Sequence, residues 1–397
     1  MAGINGVQPP LPEREPVLRA LVDICGPDFA RTARAIDTVA GRRASFVAVP
    51  ATARAVAATI ELAERRGLAW MPRGSGSKID WGTPPPGVDL IIDTGRLGGM
   101  WHHRVDEFTA EVGAGTQVRS LQAALALQGQ RLAVDPRSIS ATVGGMLAVN
   151  ESGALRHRFG TPAEQVVRIS YVDASGTAGE SDGEEGRPGI AEIDGVLMSA
   201  RMRLQPLPAA RRWVGLPVST PLQVHHIVEE TLASDLQPSA VEVDLPTAVM
   251  ARPAEQPPGS VAVLLEGETG EAEQQATRLA MTLGGSAWVS EVAPGWWGRY
   301  PFGPLDVALR ISVPIADLHA AVYALRDATG NAVPVRGSAG LGTVHAVLPG
   351  EFGPDRVAEI LDSVRQVLLA RSGEAVIVSA PPEISRYVEM AGRRQLF

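Results

Sequence analysis

The residues of this chain best suited to chemistry begin with two glycine-rich stretches, Met71-Pro72-Arg73-Gly74-Ser75-Gly76-Ser77-Lys78 and Thr142-Val143-Gly144-Gly145-Met146-Leu147-Ala148-Val149-Asn150. Small residues let backbone N–H groups approach an anion with no Cβ in the way. Arg73 and Lys78 flank the first loop with positive charge of the kind a pyrophosphate requires. The second stretch sets its glycines in an otherwise apolar run, which suits a backbone lying against a flat ring system. Two such loops are expected to hold one large phosphorylated cofactor from two sides; the alternative is that each is only a turn. Generic nucleotide templates fail here. A P-loop needs a hydroxyl residue after its lysine, where this chain has Ile79, and Ile79 also stands in place of the third glycine of a Gly-x-Gly-x-x-Gly fingerprint. Arg310 and Arg336 are candidates for bidentate pairing with a substrate carboxylate, or equally for ordinary ion pairs. The adjacent histidines His102-His103 and His225-His226 read as solvated faces, their side chains pointing apart on a strand.

The elements that must position these residues follow an α/β order. A strand is expected over 46–50, then a helix capped by Thr52 and running to about Arg66, with Ala55, Val56, Ile60, Leu62 and Ala63 on its apolar side. Gly67 ends that helix, 68–71 form the next strand, and the first glycine loop follows at once. Further strands are expected at 90–93 and 109–113, a helix over 116–128 with Val118, Leu121 and Leu125 inward, a strand at 166–173 with a turn at 174–177, and a strand at 195–204. Residues 179–189 carry Gly, Glu and Asp with no aliphatic side chain and read as an exposed loop. Beyond about Trp213, short strands and helices alternate: helices over 222–233, 271–282, 315–328 and 354–370, strands at 240–245, 261–265, 287–290, 306–313, 332–336, 343–348 and 375–379. That pattern predicts a second α+β unit with an antiparallel sheet.

Composition bounds the function. A chain of 397 residues exceeds one ordinary core and predicts two domains. Its formal charge of -8 argues against nucleic acid as the main partner. Cys25 is the only cysteine, so neither an intrachain disulfide nor a cysteine-rich metal site can form. No basic-then-apolar leader opens the sequence and nowhere do roughly eighteen apolar residues run together, so a soluble cytoplasmic protein is expected. The expected organisation is a flexible 1–15, a cofactor domain over 16–210, an α+β domain over 211–350, and a helix and strand over 351–397 that return to the first domain.

Pro72-Arg73-Gly74-Ser75-Gly76-Ser77, Asp135-Pro136-Arg137-Ser138, Ala141 through Gly144-Gly145-Met146 to Ser152-Gly153, and Arg156-His157-Arg158-Phe159-Gly160 together resemble the FAD-binding domain of the vanillyl-alcohol-oxidase (PCMH-type) flavoproteins. Within that group the likeness is nearest to the FAD-binding E subunit of bacterial glycolate oxidase, over roughly residues 45–205. The resemblance implies an α+β fold, with a two-subdomain PCMH-type FAD-binding domain followed by a ferredoxin-like cap. It implies that Pro72, Arg73, Gly74, Ser75, Gly76, Ser77 and Lys78 wrap the FAD pyrophosphate. Asp135, Pro136, Thr142, Gly144, Gly145, Ser152 and Gly153 would line the pyrophosphate and isoalloxazine, and the backbone of Val196 would meet the adenine. Ser77 stands where covalently flavinylated relatives carry histidine, so the FAD is expected to be non-covalent.

The sequence departs from that pattern. The Lys-Asn-Val-x-Gly-Tyr-Asp segment and the following glycine turn of the E subunits are replaced by acidic 181–189 and Glu192-Ile193-Asp194-Gly195, which leaves either a more open site or a weakened or lost cofactor. In the second half, Trp296-Trp297, Arg299, Phe302 and the stretch from Leu309 to Pro314 are similar to the tryptophan-pair and arginine-strand region of the same subunits. Gly337 to His345 is similar to the His-x-Gly-Asp-Gly-Asn-x-His segment of D-2-hydroxy-acid dehydrogenases, of which only His345 survives. One histidine makes no metal site unaided, so no metal is expected. By this resemblance His345 is a general base and Arg310 a carboxylate anchor, while a structural strand histidine is the other reading. The function implied is an FAD-dependent oxidoreductase, or the FAD-binding subunit of one, acting on a small 2-hydroxy acid such as glycolate. Its partners would be a second flavin subunit and an iron–sulfur subunit, with membrane association only through them. Two alternatives stay open: a non-catalytic subunit of the same fold, with FAD structural or absent, and a nucleotide-binding protein unrelated to flavin.

Overall fold

The computed structural model describes residues 11–182, 190–246, 259–392 and 395–397, in two compact units. The first comprises 1–133, 138–151 and 162–206; the second comprises 134–137, 152–161 and 207–397. This division corrects the expected boundaries, because 134–137 and 152–161 leave the first unit for the second.

Among the described residues the first unit holds a four-stranded and a five-stranded sheet, beside two two-stranded ribbons, Thr38–Val39 with Arg42–Arg43 and Gln130–Arg131 with Gln205–Pro206. In the four-stranded one the order is Ala30–Thr32, Phe46–Ala48, Leu90–Asp93, Trp70–Arg73, and the last three run parallel. A parallel pair needs a crossover, and the sequence supplies it as the helix Ala53–Arg66. Thr52 is extended and its hydroxyl accepts from Ala55 N at 3.2 Å, while Gly67 closes the helix in the left-handed region. Val56, Ile60 and Ala63 are fully buried against Phe46, Leu90 and Ile92. The five-stranded sheet is antiparallel, in the order Ala178–Ser181, Val166–Asp173, Gly195–Arg203, Thr109–Gly113, Met100–Arg104. Residues 178–181 are therefore strand rather than loop, since they pair with Val166–Asp173; 183–189 lie outside the described residues. The helix Leu11–Cys25 likewise takes in residues expected to be a flexible lead-in, of which 1–10 lie outside the described residues.

The second unit is organised on one eight-stranded antiparallel sheet, larger than a single ferredoxin-like sheet, in the order Trp288–Ser290, Ala210–Val218, Gly259–Gly267, Ala240–Leu245, Val335–Ser338, Thr343–Leu348, Val307–Ser312, Glu374–Ser379. The last strand pairs with Val307–Ser312. Residues 374–379 thus complete the second unit's sheet and do not return to the first. Alternation along the strands sorts the faces. Val241, Val243, Leu309, Ile311, Val344 and Ala346 join one core with Val224 and Val228 of the helix Pro221–Ala233 and Val357, Ile360 and Val364 of the helix Pro354–Leu369. Each such valine, leucine or isoleucine, fully buried, contributes on the order of 1.5–3 kcal/mol. The intervening residues Glu242, Asp244, Arg310 and His345 therefore point to the opposite face of the sheet.

Candidate functional site

In the first unit, Trp70–Arg73 is the last strand of its sheet and delivers the chain directly into the first glycine loop. Among the described residues, the backbone N–H groups of Gly74, Ser75, Gly76 and Ser77 donate to no protein acceptor. Successive open amide donors of this kind suit an anion. Gly76 sits at φ 80°, a left-handed conformation that L side chains rarely adopt. At Gly74 the constraint is contact: a Cβ there would lie 2.1 Å from Thr142 Oγ1. The two glycine stretches are thus packed on each other.

The flanking charges are not offered to a ligand as expected. Arg73 donates from Nε and Nη2 to Asp93 Oδ2 at 3.2 and 2.9 Å and from Nη1 to Asp37 Oδ1 at 3.0 Å. Asp37 also takes both Nη atoms of Arg31, which, as the largest cause, holds its carboxyl well below the usual carboxylate range. Lys78 Nζ lies 3.0 Å from Glu151 Oε1, bonds Ser138 Oγ, and sits 4.3 Å from the centre of the Trp81 ring. Burial pulls the lysine pKa down and Glu151 opposes that shift. Both flanking cations are thus engaged with carboxylates of the first unit, and the groups the loop leaves open are backbone amides.

The second stretch also differs from expectation. Residues Val143–Val149 form a helix capped by Thr142, whose Oγ1 accepts from Gly145 N at 3.2 Å. Val143 N and Gly144 N donate to Thr116 O and Ala114 O, both at 2.8 Å. These amides are occupied, so the segment gives a cofactor no amide donors from 143–145. Gly144 is glycine for packing, since a Cβ would stand 2.7 Å from that of Ala114. What remains exposed is Gly145 and Ala148, one turn apart, a small-residue strip able to lie against a flat ring. Val196 is fully buried and pairs with Val172, while the ladder to Thr109–Gly113 begins only at Ser199.

Asp135, Pro136, Ser152 and Gly153 belong to the second unit. The Asp135 carboxylate accepts from Ala154 N and Leu155 N, each at 3.0 Å, and a Cβ on Gly153 would meet Asp135 O at 1.9 Å. Asp135 therefore folds 152–155 into a turn. Its burial raises its pKa to about 7, against the two amides and Arg137. Arg137 forms a buried pair with Glu242, Nη2 to Oε2 2.6 Å.

On the polar face of the eight-stranded sheet, Asp244, Arg336, His345 and Arg310 are successive register partners across four strands. His345 is buried, with the rings of Tyr300 and Phe302 at 5.3 and 5.8 Å. Arg310 uses Nε on Gln395 O, Nη1 on Ser312 Oγ and Nη2 on Glu374 Oε2. Arg336 gives Nε to Asp244 and Nη1 to Tyr300 O. Its Nη2 donates to no protein acceptor among the described residues. Trp296 bonds Ser260 Oγ through Nε1, and Trp297 stands edge-on to Trp213 at 6.1 Å, so the tryptophan pair packs the second unit. His225 and His226 lie on a helix and not on a strand. Glu151, Asp37 and Glu242 were not among the candidates in the sequence; the signal for Glu151 was a carboxylate two residues after the apolar run 146–149, past the cap Asn150.

The chain has a mixed α+β fold of the PCMH type. Residues 44–180 match the FAD binding domain family, and FAD is the cofactor. Over 133 residues the chain is 28% identical to the D-lactate dehydrogenase of Archaeoglobus fulgidus, a stretch covering 33% of this chain and 30% of that protein. The matched part thus spans less than a third of that relative's length. Among solved structures, an alkyldihydroxyacetonephosphate synthase superposes with TM-score 0.69 at 16% identity, covering 91% of this chain and 80% of that one. A p-cresol methylhydroxylase superposes with TM-score 0.67 at 12% identity, covering 91% and 88%. These likenesses place the chain among relatives of FAD-dependent oxidoreductases with the vanillyl-alcohol-oxidase type of fold. Among the described residues no helix is long and apolar enough to cross a membrane.

Proposed function

We propose that this protein binds FAD non-covalently and oxidises a small 2-hydroxy acid of the lactate or glycolate class. The observation that carries the catalytic part is the row Arg336, His345, Arg310, which sets one histidine between two arginines on adjoining strands. The open amides of 74–77 would hold the pyrophosphate, and the exposed Gly145 and Ala148 would lie against the ring system. Bound FAD supplies the acceptor for the hydride that leaves the α-carbon. His345 takes the hydroxyl proton at its imidazole, a contribution of roughly 100- to 10,000-fold in rate. Arg336, with its open Nη2, anchors the substrate carboxylate. Arg310, fully engaged by Glu374, Ser312 and Gln395, positions the His345 strand instead of binding substrate, which revises the role expected for it.

A second reading, a non-catalytic subunit of the same fold, is favoured by one observation: His345 is enclosed by aromatic rings and both arginines are ion-paired. Anaerobic mixing of the flavin-loaded protein with glycolate, D-lactate and L-lactate separates the two. Bleaching by one of them, slowed at least 100-fold in His345→Gln, supports the enzyme. A flavoprotein that stays oxidised with all three is the non-catalytic subunit.

A further inference from the structure

We propose that His225, His226 and Glu229 form a site for a first-row transition-metal ion on the helix Pro221–Ala233, in the second unit. Nothing in the flavin chemistry uses these residues. Among the described residues they make a group of three metal-ligating side chains whose donor atoms all lie within 4.8 Å of one another. Helical spacing brings them together, since His225 and Glu229 are four apart and His226 and Glu229 three apart. His225 Nε2 is 3.2 Å and His226 Nδ1 3.9 Å from Glu229 Oε2. Around a tetrahedral ion with bonds of about 2.0–2.1 Å, ligand atoms sit about 3.3 Å apart. One contact already has that spacing, and the other two, neither longer than 4.8 Å, close by rotation of the exposed His226 and Glu229 side chains.

The third ligand is held in place. His225 is mostly buried, its ring lies 4.8 Å from that of His319, and its Nδ1 is buried without a hydrogen-bond partner. Nε2 is consequently the nitrogen presented to a ligand. Two imidazoles and one carboxylate suit Zn²⁺, Co²⁺ or Ni²⁺ rather than the hard, oxygen-seeking Ca²⁺ or Mg²⁺, and leave a fourth position for water. Val224 and Val228 of the same helix pack into the core on the side of the sheet away from His345. The ion would therefore brace the helix and take no part in the reaction at the opposite face.

The test uses the full chain, dialysed against a chelator and titrated with Zn²⁺ by calorimetry, with thermal unfolding read in parallel. His226→Ala and Glu229→Gln alter exposed side chains and keep the fold, which far-ultraviolet circular dichroism checks; His102→Ala in the first unit is the control. One equivalent of Zn²⁺ bound, at least tenfold more weakly in each variant but not in the control, and a Zn²⁺-dependent rise in melting temperature lost in the double variant, are the expected results. Absence of stoichiometric uptake by the unaltered chain, or uptake unchanged in both variants, overturns the proposal.

Discussion

Lys78 and Glu151 form a buried ion pair, Nζ to Oε1 3.0 Å, that ties the first glycine loop to the residue following the second stretch's helix and its cap. Ser138 N completes the arrangement by donating to the same Glu151 oxygen at 3.0 Å. Removing one partner strands the other charge in the interior. Lys78→Met is therefore expected to lower unfolding free energy by about 3–5 kcal/mol. Lys78→Met combined with Glu151→Leu should recover most of that loss, short of the Ser138 hydrogen bond. Urea titration of the three proteins checks this, and equal destabilisation in single and double variants would contradict it.

Gly74 tests the contact between the two stretches. Gly74→Ala puts a methyl 2.1 Å from Thr142 Oγ1, which forces the loop to move and should weaken FAD binding at least tenfold, about 1.4 kcal/mol. Adding Thr142→Ala removes the clashing hydroxyl and should restore part of the affinity, although it also removes the helix cap at a cost of about 1 kcal/mol. Flavin fluorescence quenching measures both. By contrast, Arg73→Glu would place a third carboxylate beside Asp37 and Asp93 and should unfold the unit rather than report on FAD.

Asp37 governs the acid limb of stability. Its depressed folded-state pKa means that its contribution is fully present above the unfolded value of about 4 and is lost as pH falls below that. Asp37→Asn should therefore destabilise strongly at pH 7, and the gap from the unaltered chain should shrink steadily below pH 4. Thermal melts over that range test the sign.

Asp135 acts in the opposite sense. With a folded-state pKa of about 7 against about 3.9 unfolded, the native state binds the extra proton, so stability falls as pH rises from about 4 to about 7 and is level above. The slope from this one group reaches about 1.4 kcal/mol per pH unit. Asp135→Asn cannot ionise, so its melting temperature should lack this decline, and its deficit at pH 5 should narrow by pH 8. A parallel pH profile for the two proteins would contradict the assignment.

Much of the first unit was legible because its signals are local. Thr52, Val56, Ile60 and Gly67 specify one helix completely, and Pro72 to Ser77 carries the loop. What escaped depended on distant partners. That Arg73 faces Asp37 and Asp93, or Lys78 faces Glu151, is fixed by sheet order and not by spacing, so two cations that looked available are spent. The helix at 143–149 was hidden because two glycines disfavour helix interiors; Thr142 as cap and Ala114 as close neighbour override that cost. Likewise the strand at 374–379 reads the same whichever sheet receives it. The register that flanks His345 with Arg310 and Arg336 joins residues whose strands are separated in sequence, and the type of each residue announced only that it was a candidate.

The amides of 74–77 are proposed to hold a non-covalent FAD. The direct measurement is the visible spectrum of the purified chain, before and after acid precipitation, with Gly76→Val in parallel. Flavin bands at one equivalent per chain, released wholly into the acid supernatant and absent from Gly76→Val after incubation with FAD, are the predicted result. A colourless chain that takes up no added FAD, or a Gly76→Val protein with full flavin content, would contradict it.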